Sequence, residues 1–379
     1  MEIPFNKPAT GPEEARAAAQ VAEGDVLRGN GPVSDRVEAQ LEELLGARHV
    51  FLTTSCTHAL EMAMITLELG PGDEVIMPSF NFVSSGNAVV LRGATPVFAD
   101  IRPDTLNLDP AEVEERITPD TRAIVPVHYA GVGCEMDELM AIAEEHDLYV
   151  VEDAAQAIDA DYEDRPLGTI GDIGCLSFHE TKNLTSGEGG AFVTDDDEIA
   201  RTAELVREKG TNRSAFVRGE VDHYTWVHEG SSYIQSDILA AVLEVQLRRR
   251  KEIREKRRRV WEGYYERLAP LAETLPIRLP HVPANRRSNY HIFFFRTEEK
   301  GQRDRVLGAL KEAGIQATFH YIPLHDSPFG RAHLAEVPEL PVTSRCSDTL
   351  IRLPLYPKLA DRAEEVADRA AEILRSELA

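Results

Sequence analysis

Three short stretches of this chain bring together residue types that do chemistry. Val150-Val151-Glu152-Asp153-Ala154-Ala155-Gln156 ends an apolar run on an acidic pair. Open α/β sheets place ligands at the carboxyl ends of their strands. Taken alone, such a pair also reads as a helix cap or a solvated loop. The second stretch is Gly174-Cys175-Leu176-Ser177-Phe178-His179-Glu180-Thr181-Lys182-Asn183, followed by Gly187-Glu188-Gly189-Gly190. It sets a lysine in a polar turn between two apolar runs, 29 residues after Asp153. A solvated lysine is the ordinary reading, but a lysine available as the neutral amine forms Schiff bases with carbonyl compounds. Third, Thr53-Thr54-Ser55-Cys56-Thr57 leads into a helical pattern. Hydroxyls and free N–H groups at a helix start either cap the helix or bind phosphate.

A Schiff-base lysine, an acid for a pyridine nitrogen and a phosphate cradle are the parts that pyridoxal phosphate requires. The elements that must position them are legible in the apolar pattern. Short β-rich runs fall at 50–53, 74–77, 96–99, 123–127, 148–151, 174–178 and 190–194. Helical periodicity falls at 57–69, 81–92, 135–146 and 196–208, and Gly70-Pro71-Gly72-Asp73 stops the first of these helices. Alternating strands and helices predict a mostly parallel α/β sheet covered on both faces. A long helical pattern runs from about 236 to 268, and Pro270, Pro276, Pro280 and Pro283 then break the chain. A strand at 291–296, a helix at 304–313, a strand at 315–320 and a last helix near 361–377 predict a smaller α+β unit. The expected division is a large α/β domain over 1–250 and a small C-terminal α+β domain over 251–379.

Composition narrows the class. The chain has 379 residues, 42% hydrophobic and 28% charged, which suits a globular protein rather than a disordered one. Its net charge of −24 argues against nucleic-acid binding. Only eight residues are lysine, and this acidic, arginine-rich balance fits either a salt-adapted host or a GC-rich genome. No apolar run is long enough for a membrane span, and the first residues lack the basic start and apolar core of a signal peptide. Cys56, Cys134, Cys175 and Cys346 are far apart with neither C-x-x-C nor zinc spacing, so reduced thiols, a cytoplasmic protein and no metal are expected. Arg248–Arg259 carries nine basic and two acidic residues, read as an exposed ion-paired helix face rather than a nucleic-acid patch. Asp195-Asp196-Asp197-Glu198 reads as a helix start rather than a metal cluster.

The motifs T-T-S-C-T-H-A-L at 53–60, P-G-D-E-V-I-M-P-S-F-N-F at 71–82, V-V-E-D-A-A-Q at 150–156 and S-F-H-E-T-K-N at 177–183 occur in this order over nearly the whole chain. In them the chain resembles the fold-type I pyridoxal-phosphate enzymes, and among these the DegT/DnrJ/EryC1/StrS sugar aminotransferases. The resemblance implies a fold-type I aminotransferase with pyridoxal 5′-phosphate as cofactor, acting as a homodimer. It makes Lys182 the lysine that binds the cofactor and then carries the proton. Asp153 becomes the partner of the pyridinium nitrogen, and Gln156 lies beside the ring. Phe82 matches the aromatic that stacks on the ring, and Ser55, Cys56 and Ser177 the phosphate cradle. Many members have G-Y-N-Y-R-M where this chain has Gly230-Ser231-Ser232-Tyr233-Ile234-Gln235. Ser232 therefore stands at the position that reaches the neighbouring subunit's phosphate, and Ile234 removes the arginine.

Four further stretches resemble one branch of the family: His128–Asp137, Arg207–Ser214, Asp222–Trp226 and Phe319-His320-Tyr321-Ile322-Pro323-Leu324-His325. That branch aminates dTDP-4-keto-6-deoxy-D-glucose to dTDP-4-amino-4,6-dideoxy-D-galactose with L-glutamate as donor, and includes transaminases of enterobacterial common antigen synthesis. On this reading Arg213, Tyr321 and His325 bind substrate; a surface arginine and a structural histidine are the plain alternatives. Other nucleotide keto-sugars, or a non-catalytic pyridoxal-phosphate regulator, are the functional alternatives. A related dehydratase would carry His in place of Lys182. A nicotinamide enzyme would need G-x-G-x-x-G, which Gly187–Gly190 does not supply.

Overall fold

The computed structural model describes residues 2–379. Seven strands form the main sheet: β1 (His49–Thr53), β2 (Glu74–Pro78), β3 (Thr95–Ala99), β4 (Thr121–Ile124), β5 (Tyr149–Asp153), β6 (Ile173–Ser177) and β7 (Gly190–Thr194). They lie in the order β1-β7-β6-β5-β4-β2-β3. Only β7 runs against the others, pairing antiparallel with both β1 and β6. A sheet of this kind is buried on both sides, and side chains alternate between its faces. Leu52, Ile76, Ile124, Val150 and Leu176 face one core with helices α2 (Pro32–Leu45) and α5 (Met136–His146). Val75, Met77, Ala123, Val151 and Cys175 face the other, with α3 (Cys56–Thr66), α4 (Val83–Leu91) and α6 (Asp197–Arg207). Ahead of α2, α1 (Pro12–Ala22) packs on the long helix α7 (Asp237–Ala272).

Helix α7 is 36 residues long and serves two cores. Its first half sends Ala240, Leu243, Leu247 and Ile253 into the first sheet core. Its second half sends Val260, Tyr264, Leu268 and Leu271 into a separate core. That second core is closed by a three-stranded antiparallel sheet, β8 (Ile277–Arg278), β9 (Phe293–Thr297) and β10 (Leu350–Leu353), and by α8 (Lys300–Glu312) and α9 (Ala363–Leu378). The N-terminal residues join this half. Ile3 accepts from Gln316 and donates to Gly314, while Asn6 reaches the Glu180 carbonyl in the loop ahead of Lys182.

Two expectations give way here. Pro270 does not break the long helix, which continues to Ala272. The carbonyl its ring orphans belongs to exposed Glu266, and burial of Leu268 and Leu271 on either side outweighs the roughly 3 kcal/mol a mid-helix proline costs. Residues 315–320 form no strand; they make only single bridges, Ile315 with Ile3 and Thr318 with Arg352. The segment meets two short partners instead of one continuous edge. Helix α3 also ends at Thr66, ahead of Gly70, where Glu68 turns left-handed at φ 55°.

Among the described residues no helix is long and apolar enough to cross a membrane. The four cysteines are buried and unpaired. The basic run of α7 is laced by Glu252 with Arg249 and Lys256, and by Glu255 with Arg258 and Arg259. Asp196 caps α6 by accepting from Glu198 and Ile199, and Asp197 pairs with Arg48 and His49.

Candidate active site

The strands of the main sheet deliver their last residues to one edge, and a cavity of about 350 Å³ opens there. Ser55 and Cys56 follow β1, Phe82 follows β2, Asp153 ends β5, and Ser177 ends β6; all five line the cavity. Lys182, Gln156 and Tyr321 line it too.

Each of these side chains is held by something specific. The Ser55 hydroxyl accepts from the His58 N–H at 3.1 Å and caps α3. The N–H groups of Cys56 and Thr57 are left without an acceptor among the described residues, an anion seat at a helix start. Gly190, on β7, lets this helix start come close. A Cβ there would lie 2.4 Å from the Ser55 carbonyl carbon and 2.5 Å from the Cys56 nitrogen.

Asp153 is buried, and its Oδ2 accepts from the Ser85 hydroxyl of α4 at 2.6 Å. Its neighbour Glu152 points to the other side of the strand and is fully buried. Glu152 accepts from the N–H groups of Gly168, Ile170 and Gly171 at 2.8, 2.6 and 2.7 Å, and lies 2.7 Å from Nε2 of His128. Burial pushes this carboxyl up, but His128 and the backbone donors more than offset it and hold it below the usual carboxylate range. Nδ1 of His128 accepts the Cys134 N–H at 3.2 Å, so the imidazole donates to Glu152 from Nε2.

Gln156 accepts the Ala130 N–H at 2.7 Å and donates to the Tyr321 hydroxyl at 3.1 Å. Ala130 holds a left-handed backbone at φ 58°, a strain this bond helps to fix. Tyr321 packs edge-on against Phe80, which packs the same way on Tyr129. Lys182 makes no side-chain hydrogen bond or ion pair with a described residue. Burial lowers its ammonium pKa, with Cys56 and Asp153 pulling upward and Arg352 downward. Its amine is therefore more readily neutral than that of a surface lysine.

Three expected residues lie outside the cavity. Arg213 is ion-paired to Glu208 at 2.9 Å. Ser232 is exposed and bridges Glu208 through its backbone. His325 is buried against Ser79, whose hydroxyl is 2.6 Å from Nδ1 and accepts the His325 N–H at 3.0 Å. The serine thus engages Nδ1 and the backbone N–H of His325.

The cavity also gathers residues to which the motifs gave no role: Ser84, His291, His320 and Arg352. His291 Nδ1 lies 2.8 Å from Asn183 Oδ1, and burial holds its pKa well below the usual value. Arg352 interrupts the apolar run Leu350-Ile351-Arg352-Leu353, the one sign in the sequence that this strand carries more than core packing.

The donor set fits pyridoxal phosphate. Two unpaired N–H groups with the Ser55 and Ser177 hydroxyls suit a phosphate, a buried carboxylate suits a protonated pyridine, and an unpaired amine suits an aldehyde. The sequence profile of the DegT/DnrJ/EryC1/StrS aminotransferase family matches residues 8–371. The spore coat polysaccharide biosynthesis protein SpsC of Bacillus subtilis is 34% identical over 98% of this chain and 97% of its own length. The crystal structure of the aminotransferase TlmJ from Streptoalloteichus hindustanus is 32% identical, covers 99% of both chains and superposes with a TM-score of 0.90. PseC of Helicobacter pylori, an aminotransferase involved in the biosynthesis of pseudoaminic acid, is 25% identical over 99% of this chain and 100% of its own, with a TM-score of 0.91.

Proposed function

Because this chain belongs to the DegT/DnrJ/EryC1/StrS aminotransferase family, we propose that it moves an amino group from L-glutamate to C4 of a nucleotide-linked keto-sugar. The sugar we assign is dTDP-4-keto-6-deoxy-D-glucose, giving dTDP-4-amino-4,6-dideoxy-D-galactose for polysaccharide synthesis in the cytoplasm. The fold is that of a fold-type I aminotransferase and the cofactor is pyridoxal phosphate. The observation that carries the reading is the single cavity in which Lys182, Asp153 and the start of α3 meet.

When bound, the cofactor supplies an aldehyde carbon that takes up and returns an amine, and a ring that draws electrons from the adjoining carbon. Lys182 is the proton carrier: its lowered pKa makes the neutral base accessible, so it can take a proton from one carbon and return it to another. Asp153, steadied by Ser85, holds the proton on the pyridine nitrogen. Ser55, Ser177 and the Cys56 N–H would hold the phosphate. Gln156 and Phe82 would flank the ring, and Tyr321, tied to Gln156, would bind the substrate.

A homodimer completes the reading. Phe82 is 57% and Trp226 77% exposed, with Val217 and Tyr224 also exposed, and apolar side chains of this size suit a partner surface. Ser232 and Arg213 lie on the same chain stretch as Trp226, outside their own cavity, where they would serve the partner's site.

The visible spectrum tests the reaction. L-glutamate should bleach the yellow cofactor band, and dTDP-4-keto-6-deoxy-D-glucose should restore it. A band untouched by glutamate refutes the donor, and restoration only by a different keto-sugar refutes the acceptor.

A further inference from the structure

We propose that Asn81 selects the sugar by donating to the hydroxyl on the carbon next to its ketone, an inference that rests on the aminotransferase reading above. Asn81 follows β2, is 2% exposed and lines the same cavity as Lys182 and Phe82. Its Oδ1 accepts the Phe82 N–H at 2.6 Å, which fixes the way the amide faces. Its Nδ2, with two hydrogens to give, is buried and has no acceptor among the described residues. Buried donors are nearly always paired, so one left open at a cavity wall calls for an acceptor from a ligand. The start of α4 adds to that demand. Phe82 caps this nine-residue helix without a side-chain bond, and the N–H groups of Val83 and Ser84 have no acceptor among the described residues.

Other polar groups of the wall are already engaged. Asp153 accepts from Ser85, Gln156 joins Ala130 to Tyr321, and His291 lies 2.8 Å from Asn183. Ser84 and Thr57, which line the cavity with Asn81, share one hydrogen bond at 2.7 Å. The hydroxyl that accepts this bond keeps its own proton, and both oxygens keep lone pairs. The wall beside Phe82 thus offers an amide whose free end only donates, together with hydroxyls that donate and accept. That set suits a neutral oxygen. A carboxylate or a diphosphate draws a cation, and Asn81, Ser84 and Thr57 supply none. The ketone oxygen of the sugar leaves as water when the amine takes its place, which would strand a donor aimed at it. The C3 hydroxyl stays through the reaction and neighbours the reacting C4. Asn81 in turn neighbours Phe82, the side chain assigned to the face of the cofactor ring, so both belong to the reacting end of the cavity.

The test uses cofactor-loaded wild type, Asn81→Asp and Asn81→Ala. Asn81→Asp keeps the oxygen that accepts from Phe82 and replaces the NH2 group by an acceptor. The concentration of dTDP-4-keto-6-deoxy-D-glucose that half-restores the yellow band should rise about tenfold or more in both variants, from the lost hydrogen bond and the mismatched acceptor. The concentration of L-glutamate that half-bleaches it, and cofactor retention, should stay within about threefold. The 3-deoxy counterpart of the keto-sugar should cost wild type about the same tenfold, and cost the variants less than about twofold. A keto-sugar dependence unchanged in Asn81→Asp overturns the proposal. So does an equal weakening toward glutamate, which assigns Asn81 to the donor, or a loss of cofactor from both variants, which makes Asn81 a support of the cofactor. A wild type indifferent to the missing hydroxyl overturns it whatever the variants do. A wild type that no amino acid bleaches overturns the aminotransferase reading instead. The affinity gap between dTDP-6-deoxy-D-glucose and its 3-deoxy counterpart, measured by calorimetry on wild type and Asn81→Asp, then still reads the contact.

Discussion

Replacing Glu152 by Gln removes one charge and one acceptor oxygen at the end of β5, and the cost can be counted from its partners. The carboxylate satisfies three backbone N–H groups and His128. An amide has one oxygen. If that oxygen faces Ile170 and Gly171, the NH2 group points at the Gly168 N–H and at His128. Turning His128 to accept at Nε2 would then put an Nδ1 proton against the Cys134 N–H. Two buried donors are left unpaired in the better orientation, at about 1–3 kcal/mol each, or about 2–6 kcal/mol in all. For 379 residues the unfolding entropy is about 0.8 kcal/mol/K, so Tm should fall by about 3–8 °C if the chain melts as one unit. The 168–171 loop should also loosen beside Asp153, so cofactor should be lost at lower temperature than from wild type. Differential scanning calorimetry with and without cofactor, alongside Asp153→Asn as a control that keeps Glu152, makes the measurement. A Glu152→Gln protein that melts within 1 °C of wild type and keeps its cofactor would refute the count.

Three further outcomes follow from the same geometry. Gly190→Ala pushes a methyl into the Ser55–Cys56 backbone, and should cost about 1–3 kcal/mol in urea melts and weaken cofactor retention. Ser85→Ala removes the 2.6 Å hydrogen bond to the Asp153 carboxylate, worth about 1.5–3 kcal/mol, and should weaken cofactor binding about tenfold or more by equilibrium dialysis with little change in Tm. Lys182 has its pKa lowered in the fold, so the folded chain resists a charge that the unfolded chain accepts. It therefore subtracts stability below its folded pKa, and the penalty fades as pH rises toward the ordinary 10.5. Cofactor-free Lys182→Ala should then melt no lower than wild type at pH 7, with its advantage shrinking through pH 9–10 and no turnover at any pH.

What the sequence made legible was local. Strand runs and helix periods fell close to the observed elements because each is set by burial on alternate or 3.6-residue spacing. The cavity residues read from motifs, Ser55, Cys56, Phe82, Asp153, Gln156, Ser177 and Lys182, sit within a few positions of a strand end, and strand ends share one edge. Partners that arrive from elsewhere were not legible. Ser85 meets Asp153 from a helix 68 residues earlier, and Arg352 enters from a strand of the other half. Glu152 and Arg352 did leave a trace, since each is a charge within or at the end of an apolar run. Such a charge must be paired or must await a ligand. Pro270 and 315–320 misled because local propensity was outvoted: in one case by two buried leucines, in the other by the lack of a continuous neighbour.

The clasp made by the first residues has a consequence for the order of events on the ribosome. Ile3 and Phe5 are synthesised well before Gln316 and Arg352, which they meet from more than 300 residues earlier in the chain. At about 5–20 residues per second, Phe5 waits roughly 20–70 s for Arg352 to be made. Lys182 and Asp153 are already in the chain during that interval, with one wall of their cavity still unsynthesised. The reactive chamber is thus finished only when Phe5 meets the strand that carries Arg352.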